Sequence, residues 1–135
     1  MSALLSFTVY GVAQPQGSAR AFVVNGRAVI TSANKNLKGW RELISAEARE
    51  QMKGLPPYDG PIEVRASFYL PRPKSVKREY PTVKPDLDKT TRGLLDALSN
   101  VVIRDDAQVV SLQVSKWYVN AEVPNPCVSV WVGGV

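Results

Sequence analysis

Between Ile62 and Leu70 the chain alternates without a break: Ile62, Val64, Ala66, Phe68 and Leu70 are apolar, and Glu63, Arg65, Ser67 and Tyr69 stand between them. Successive side chains of a strand point to opposite faces, so this pattern predicts a strand with one face in a core and one in water. The same period, Leu5, Phe7 and Val9 against Ser6, Thr8 and Tyr10, predicts another near the start. Asn25-Gly26 separates Phe22-Val23-Val24 from Ala28-Val29-Ile30 and is the preferred dipeptide of a type I′ turn, which predicts a hairpin. A last strand is predicted over Cys127 to Val132, after the Pro124-Asn125-Pro126 turn.

The period changes to three and four between Asn36 and Lys53, where Leu37, Trp40, Ile44, Ala48 and Met52 form one stripe. This is a packing helix, with Ser32, Asn34 or Asn36 available to cap its start and Gly54 to close its end. A second stripe, Leu87, Thr91, Leu94, Leu95 and Leu98, follows Pro85. Asp88, Arg92 and Asp96 run along its edge at intervals of four, which makes Asp96 the expected partner of Arg92. Val101-Val102-Ile103 reads as a short strand and Arg104-Asp105-Asp106 as a strand-to-strand corner. Beyond it, Val110, Leu112, Val114 and Tyr118 form one face of a longer strand.

Strands gathered in hairpins with two helices predict one α+β domain over residues 1–135, a mixed or mainly antiparallel sheet with both helices on one face. Residues 71–85 hold four prolines, five basic residues and a single acid, Glu79, and are predicted to be a flexible basic loop.

Composition narrows the chemistry. With no histidine and one cysteine, Cys127, the chain has no Ser-His or Cys-His nucleophilic pair, no His-ligated zinc site and no intrachain disulfide. A lone cysteine and an apolar start without a basic flank or a cleavage site point to the cytoplasm. No apolar run approaches the ~20 residues of a membrane span. The tryptophans, Trp40, Trp117 and Trp131, read as core or interface residues rather than base-stacking platforms.

Charge adds a contrast. The chain carries +5 overall, yet five of its six aspartates (Asp86, Asp88, Asp96, Asp105 and Asp106) lie between 86 and 106, against only Lys89, Arg92 and Arg104. That segment is −2 and the rest of the chain is +7. An acidic site in a basic surround suits a protein that approaches a polyanion and holds a divalent cation at the contact.

Asp86 and Asp88 are two apart, and Pro85 makes the chain before them extended, so both carboxylates converge if the helix begins near Asp88. Taken singly, these aspartates are ordinary helix caps, and Asp105-Asp106 are ordinary turn residues. Taken together, one helix and one short segment separate the two pairs, so the chain can fold back on itself. Clustered carboxylates repel one another unless a cation is shared, and Mg²⁺ prefers hard oxygen ligands. Lys89 and Arg92 are placed to stabilise charge on a phosphodiester.

These residues resemble the RusA-like Holliday-junction resolvases of bacteria and their phages. The match is carried by Asp86-Leu87-Asp88 opening a helix, Leu95-Asp96-Ala97-Leu98 within it, and Asp105-Asp106-Ala107-Gln108-Val109-Val110 after it. The Gly11 to Arg20 loop, with Pro15 and Gly17, is similar to the loop of the phage branch. The resemblance implies a cytoplasmic homodimeric endonuclease of a bacterium or phage-infected cell. It would depend on Mg²⁺, with Mn²⁺ as substitute, and cut four-way DNA junctions by paired symmetric incisions.

It assigns the metal to Asp86, Asp88 and Asp106, and catalytic support to Arg92 and Lys89. Arg92 stands where the family has lysine, Lys89 where it commonly has asparagine, and Ser18 where phage relatives often have arginine. A guanidinium can hold phosphate charge but is effectively never deprotonated, so Arg92 cannot be a proton donor. Arg20, Arg72, Lys74, Lys77, Arg78 and Lys84 are the residues expected to position DNA. Two alternatives stay open: the same metal site acting on other branched or duplex DNA, and a non-catalytic DNA-binding protein whose aspartates are only caps and turns.

Overall fold

A computed structural model describes residues 3–16, 19–32 and 36–135, apart from the side chains of residues 19–24 and 28–32. The alternating segment becomes β4 (Ile62–Leu70), an inner strand of a sheet ordered β1-β6-β4-β5. Its neighbours are β6 (Cys127–Gly134), antiparallel to it, and β5 (Val109–Tyr118), parallel to it. β1 (Ala3–Tyr10) pairs antiparallel with β6 and closes one edge, while β5 forms the other. A separate hairpin pairs β2 (Ala19–Val24) with β3 (Arg27–Ser32). Its turn is made by Asn25 and Gly26 at φ 50° and 77°, the left-handed pair that a type I′ turn requires.

The even-numbered face of β4 is apolar and meets both helices, which is why Ile62, Val64, Ala66, Phe68 and Leu70 are all buried. Val128, Val130 and Val132 extend that floor along β6. α1 (Leu37–Met52) lays its stripe on it, and Leu37, Trp40, Ile44, Ala48 and Met52 are all buried. The helix ends at Lys53, which takes the left-handed conformation at φ 51° and donates its N–H to the carbonyl of Glu50. α2 (Leu87–Leu98) buries Thr90, Thr91, Gly93, Leu94, Ala97 and Leu98 against α1 and the sheet. The result is an α+β domain with a mixed sheet, as the strand and helix pattern implied.

Two expectations are corrected. Val101-Val102-Ile103 is not a strand: the N–H groups of all three residues point at the carbonyl of Leu98, and Asn100 stands at φ 67°. The segment is a tight turn, apolar because Val102 and Ile103 are fully buried, and it contributes only isolated bridges. Arg104-Asp105-Asp106 is therefore not a corner between strands. It leads from this turn into a short 3₁₀ helix, Asp106–Gln108, and then into β5. Since β4 and β5 run parallel, α2 is the crossover between them.

Candidate active site

Asp86 lies just outside α2 in an extended conformation, and its backbone carbonyl accepts the N–H groups of Lys89 and Thr90, both at 3.1 Å. Its carboxylate makes no capping hydrogen bond. Instead an oxygen of that carboxylate lies 3.8 Å from Lys89 Nζ. Inside the first turn the hydroxyls of Thr90 and Thr91 donate to the carbonyl of Leu87, at 3.0 and 2.7 Å. The helix start is thus built without an aspartate side chain, and Asp86 and Asp88 remain exposed.

The second pair divides its work. Asp105 is a true cap: its Oδ1 accepts the Ala107 N–H at 2.9 Å, while Gln108 Oε1 accepts from the backbone of Arg104 and Asp105. Gln108 Nε2 also donates to the carbonyls of Tyr58 and Gly60, bracing the turn against the loop before β4. That leaves Asp106 exposed beside a committed neighbour. The Ala107 N–H, and then the hydrogen bond shared with Asp106, hold the Asp105 carboxyl below its ordinary value. The same shared bond, some desolvation and the charges of Asp105 and Asp96 push Asp106 up. Negative charge is crowded at this point.

Asp88, Arg92 and Asp106 line one trough between α2 and β5, about 470 Å³ in volume. Leu87, Leu95, Leu112 and Val114 make its apolar floor. The chain direction sets the spacing of the charges. Lys116, near the end of β5, donates to the carbonyls of Val83 and Pro85 at 2.8 and 3.0 Å, fixing the start of α2 at that end. Asp106 precedes β5 at the other end, where Asp96 acts on it. Asp88 and Asp96 are two helical turns apart, about 12 Å. Accordingly, no three acidic or thiol side chains are grouped as a metal set among the described residues. Asp88 and Asp106 share a trough, and Asp86 stands outside its lining.

Other side chains are redistributed. Asp96 pairs with Arg41 of α1 at 3.5 Å rather than with Arg92, because the packing of α1 on α2 brings that guanidinium closer than the i−4 neighbour. Arg92 is exposed and in no ion pair among the described residues. The amino-terminal loop reaches the same helix, with the Gln16 N–H donating to the carbonyl of Lys89 at 3.0 Å. At Gly93 a Cβ would make ordinary contact with the Gln14 carbonyl oxygen at 3.6 Å and press on Leu37 Cδ1 at 3.3 Å, so the glycine suits the close packing of α1. Ser18 and the side chain of Arg20 lie outside the described residues.

The basic loop is held at several points. Arg72 donates to the carbonyls of Val76 and Arg78, at 3.3 and 3.1 Å, and its guanidinium stands 5.6 Å from the centre of the Tyr118 ring. Arg78 Nε donates to the Tyr118 hydroxyl at 2.9 Å, and Pro81 is buried. These two arginines build the loop, whereas Lys74, Lys77 and Lys84 are exposed and in no ion pair among the described residues. Lys116→Met removes both bonds that hold residues 83 and 85, at a cost of about 1–3 kcal/mol. Limited trypsin digestion of that variant is expected to cut the loop several-fold faster than the parent; equal rates would show that the anchor holds nothing.

A family model described as Endodeoxyribonuclease RusA matches residues 13–126. A protein of Bacillus subtilis (strain 168), "Uncharacterized protein YqaN", is 34% identical over 128 residues, covering 84% of this chain and 87% of that one.

Proposed function

This chain belongs to the RusA endodeoxyribonuclease family, and from that membership we propose that it resolves four-way DNA junctions by paired, symmetric phosphodiester hydrolysis dependent on Mg²⁺. The observation that carries the reading is the placement of Asp88, Asp106 and Arg92 on the lining of one trough. Two exposed carboxylates on a crowded acidic rim are hard oxygen donors suited to Mg²⁺, and Asp86, Asp88 and Asp106 are the residues that would hold it. When bound, the cation would neutralise charge on the scissile phosphate and lower the pKa of an attacking water.

The chain's own residues do the rest. Arg92 binds phosphate oxygens, with the two-pronged geometry that lysine lacks, and stabilises the negative charge that grows during cleavage. Lys89, beside Asp86, contributes positive charge at the helix start. Lys74, Lys77 and Lys84 supply the sequence-independent attraction to the DNA backbone.

A homodimer completes the reading. Each protomer carries one such trough, lined by Asp88 and Asp106. A second copy related by a two-fold axis would give the molecule a second trough of the same kind. It would also set two centres on the two equivalent strands of a junction.

The test is incubation of labelled four-way junction and matched duplex with Mg²⁺ and with a chelator. Nicks on the junction alone, abolished by the chelator, are expected. Equal cutting of duplex would replace the junction with a broader substrate, and metal-independent binding without cutting would sink the nuclease reading.

A further inference from the structure

The mouth of the basic loop holds a feature that neither cutting nor phosphate contact uses. Tyr80 and Trp117 are 52% and 40% exposed, and their rings pack against each other with centroids 5.9 Å apart, tilted by 53°. They border a cleft of about 240 Å³ that also takes in Tyr118, Glu79 and Asn120. Its walls are stiffened from behind: Trp117 Nε1 donates to the Ser115 hydroxyl at 2.7 Å, and Tyr118 is held by Arg78 and Arg72. Burial accounts for Trp40, and Arg65 covers Trp131 at 4.3 Å from its ring centre, whereas the Tyr80–Trp117 pair keeps about half of its surface open.

We propose that this cleft takes an unpaired nucleobase of DNA, stacked on the Tyr80–Trp117 pair. The proposal rests on the reading of this chain as a DNA-binding protein. A nucleobase is flat, with a π-face for the rings and a polar edge for groups such as Glu79 and Asn120. The charge of the surround selects a polyanion over a protein or a second copy: the loop carries Arg72, Lys74, Lys77, Arg78 and Lys84 against Glu79 alone. A base stacked within a duplex cannot enter, so the cleft distinguishes strands opened at a branch from those paired in an arm.

The experiment uses the full chain and a single-stranded oligonucleotide carrying one 2-aminopurine, with fluorescence and affinity read together. The parent is expected to quench the probe on binding. Trp117→Ala and Tyr80→Ala should each weaken single-strand binding about tenfold and abolish the quench, while matched duplex, held through phosphates, shifts by less than about twofold. Trp117→Phe keeps an aromatic face and should retain most of both signals, so the outcome stands even if Trp117→Ala perturbs the loop. An absent quench in the parent, or equal losses on single strand and duplex, would overturn the proposal and leave the pair a brace for the loop. A parent that quenches but cuts no junction upholds the cleft and refutes the nuclease reading. One that cuts junctions without quenching refutes the cleft alone.

Discussion

Asp88→Asn is expected to bind a four-way junction as tightly as the parent and to cut it on the order of a thousandfold more slowly. Binding survives because it is carried by exposed lysines and Arg92, and the substitution removes a negative charge from a surface that approaches phosphate. On the proposed mechanism cutting would fail because an amide is a neutral, weaker oxygen donor, and loss of a cation held there would remove several kcal/mol of transition-state stabilisation, equivalent to three decades in rate. Asp106→Asn should behave alike.

Mixing the two inactive variants separates the possible arrangements of the site. If each centre draws on both copies, a mixed dimer holds one centre with both substitutions and one with neither, and single-strand nicking returns. If each centre lies within one protomer, both centres of the mixed dimer stay damaged and nothing is regained. A gel mobility assay for binding and a strand-cleavage assay for nicking suffice; a fully active Asp88→Asn would remove Asp88 from the site.

Phe68→Ala is expected to be the most damaging small change to the fold. Phe68 lies on the inner strand β4, fully buried between the sheet and the helices. Truncation costs about 3–5 kcal/mol through lost transfer energy and the cavity left behind. A single domain of this size is stable by only ~5–15 kcal/mol, so the thermal midpoint should fall by roughly 10 °C or more. Leu55→Ala, at a side chain 60% exposed, should move it by no more than a degree or two. Thermal unfolding followed by circular dichroism checks the pair, and similar midpoints for the two variants would mean that the core is not where β4 places it.

The elements that could be read from the chain are those whose periodicity is local. The alternation of Ile62 to Leu70 and the stripe from Leu37 to Met52 predicted their strand and helix, since every apolar member of both patterns is buried. Asn25-Gly26 specified its turn through backbone sterics alone. What was not legible depends on partners far along the chain. Val101-Val102-Ile103 looks like a strand because burial, rather than pairing, selects its residues. The parallel pairing of β5 with β4 leaves no mark on either strand's own pattern.

The site divides in the same way. Spacing and charge singled out the aspartates, and the trough does bring Asp88 and Asp106 to one surface. Spacing alone could not assign their separate duties. Asp105 caps a turn while Asp106 is left exposed, and Asp96 answers to Arg41, 55 residues away, instead of its helical neighbour. Nothing in the sequence separates Arg72 and Arg78 from the lysines of the loop, yet these two arginines turn inward because Tyr118 and backbone carbonyls receive them. The exposed ring pair of Tyr80 and Trp117 was invisible for the same reason, as its members come from segments 37 residues apart in sequence and meet only in the fold.

The most direct measurement is the position of the nicks on a four-way junction whose strands are labelled one at a time, incubated with the purified chain and Mg²⁺. Nicks at symmetric positions in one pair of opposed strands near the branch point, with the arms and the matched duplex untouched, are the predicted result. Cuts scattered along the arms, or an intact junction under conditions where it is bound, would contradict the assignment of the Asp88–Asp106 trough as a junction-resolving centre.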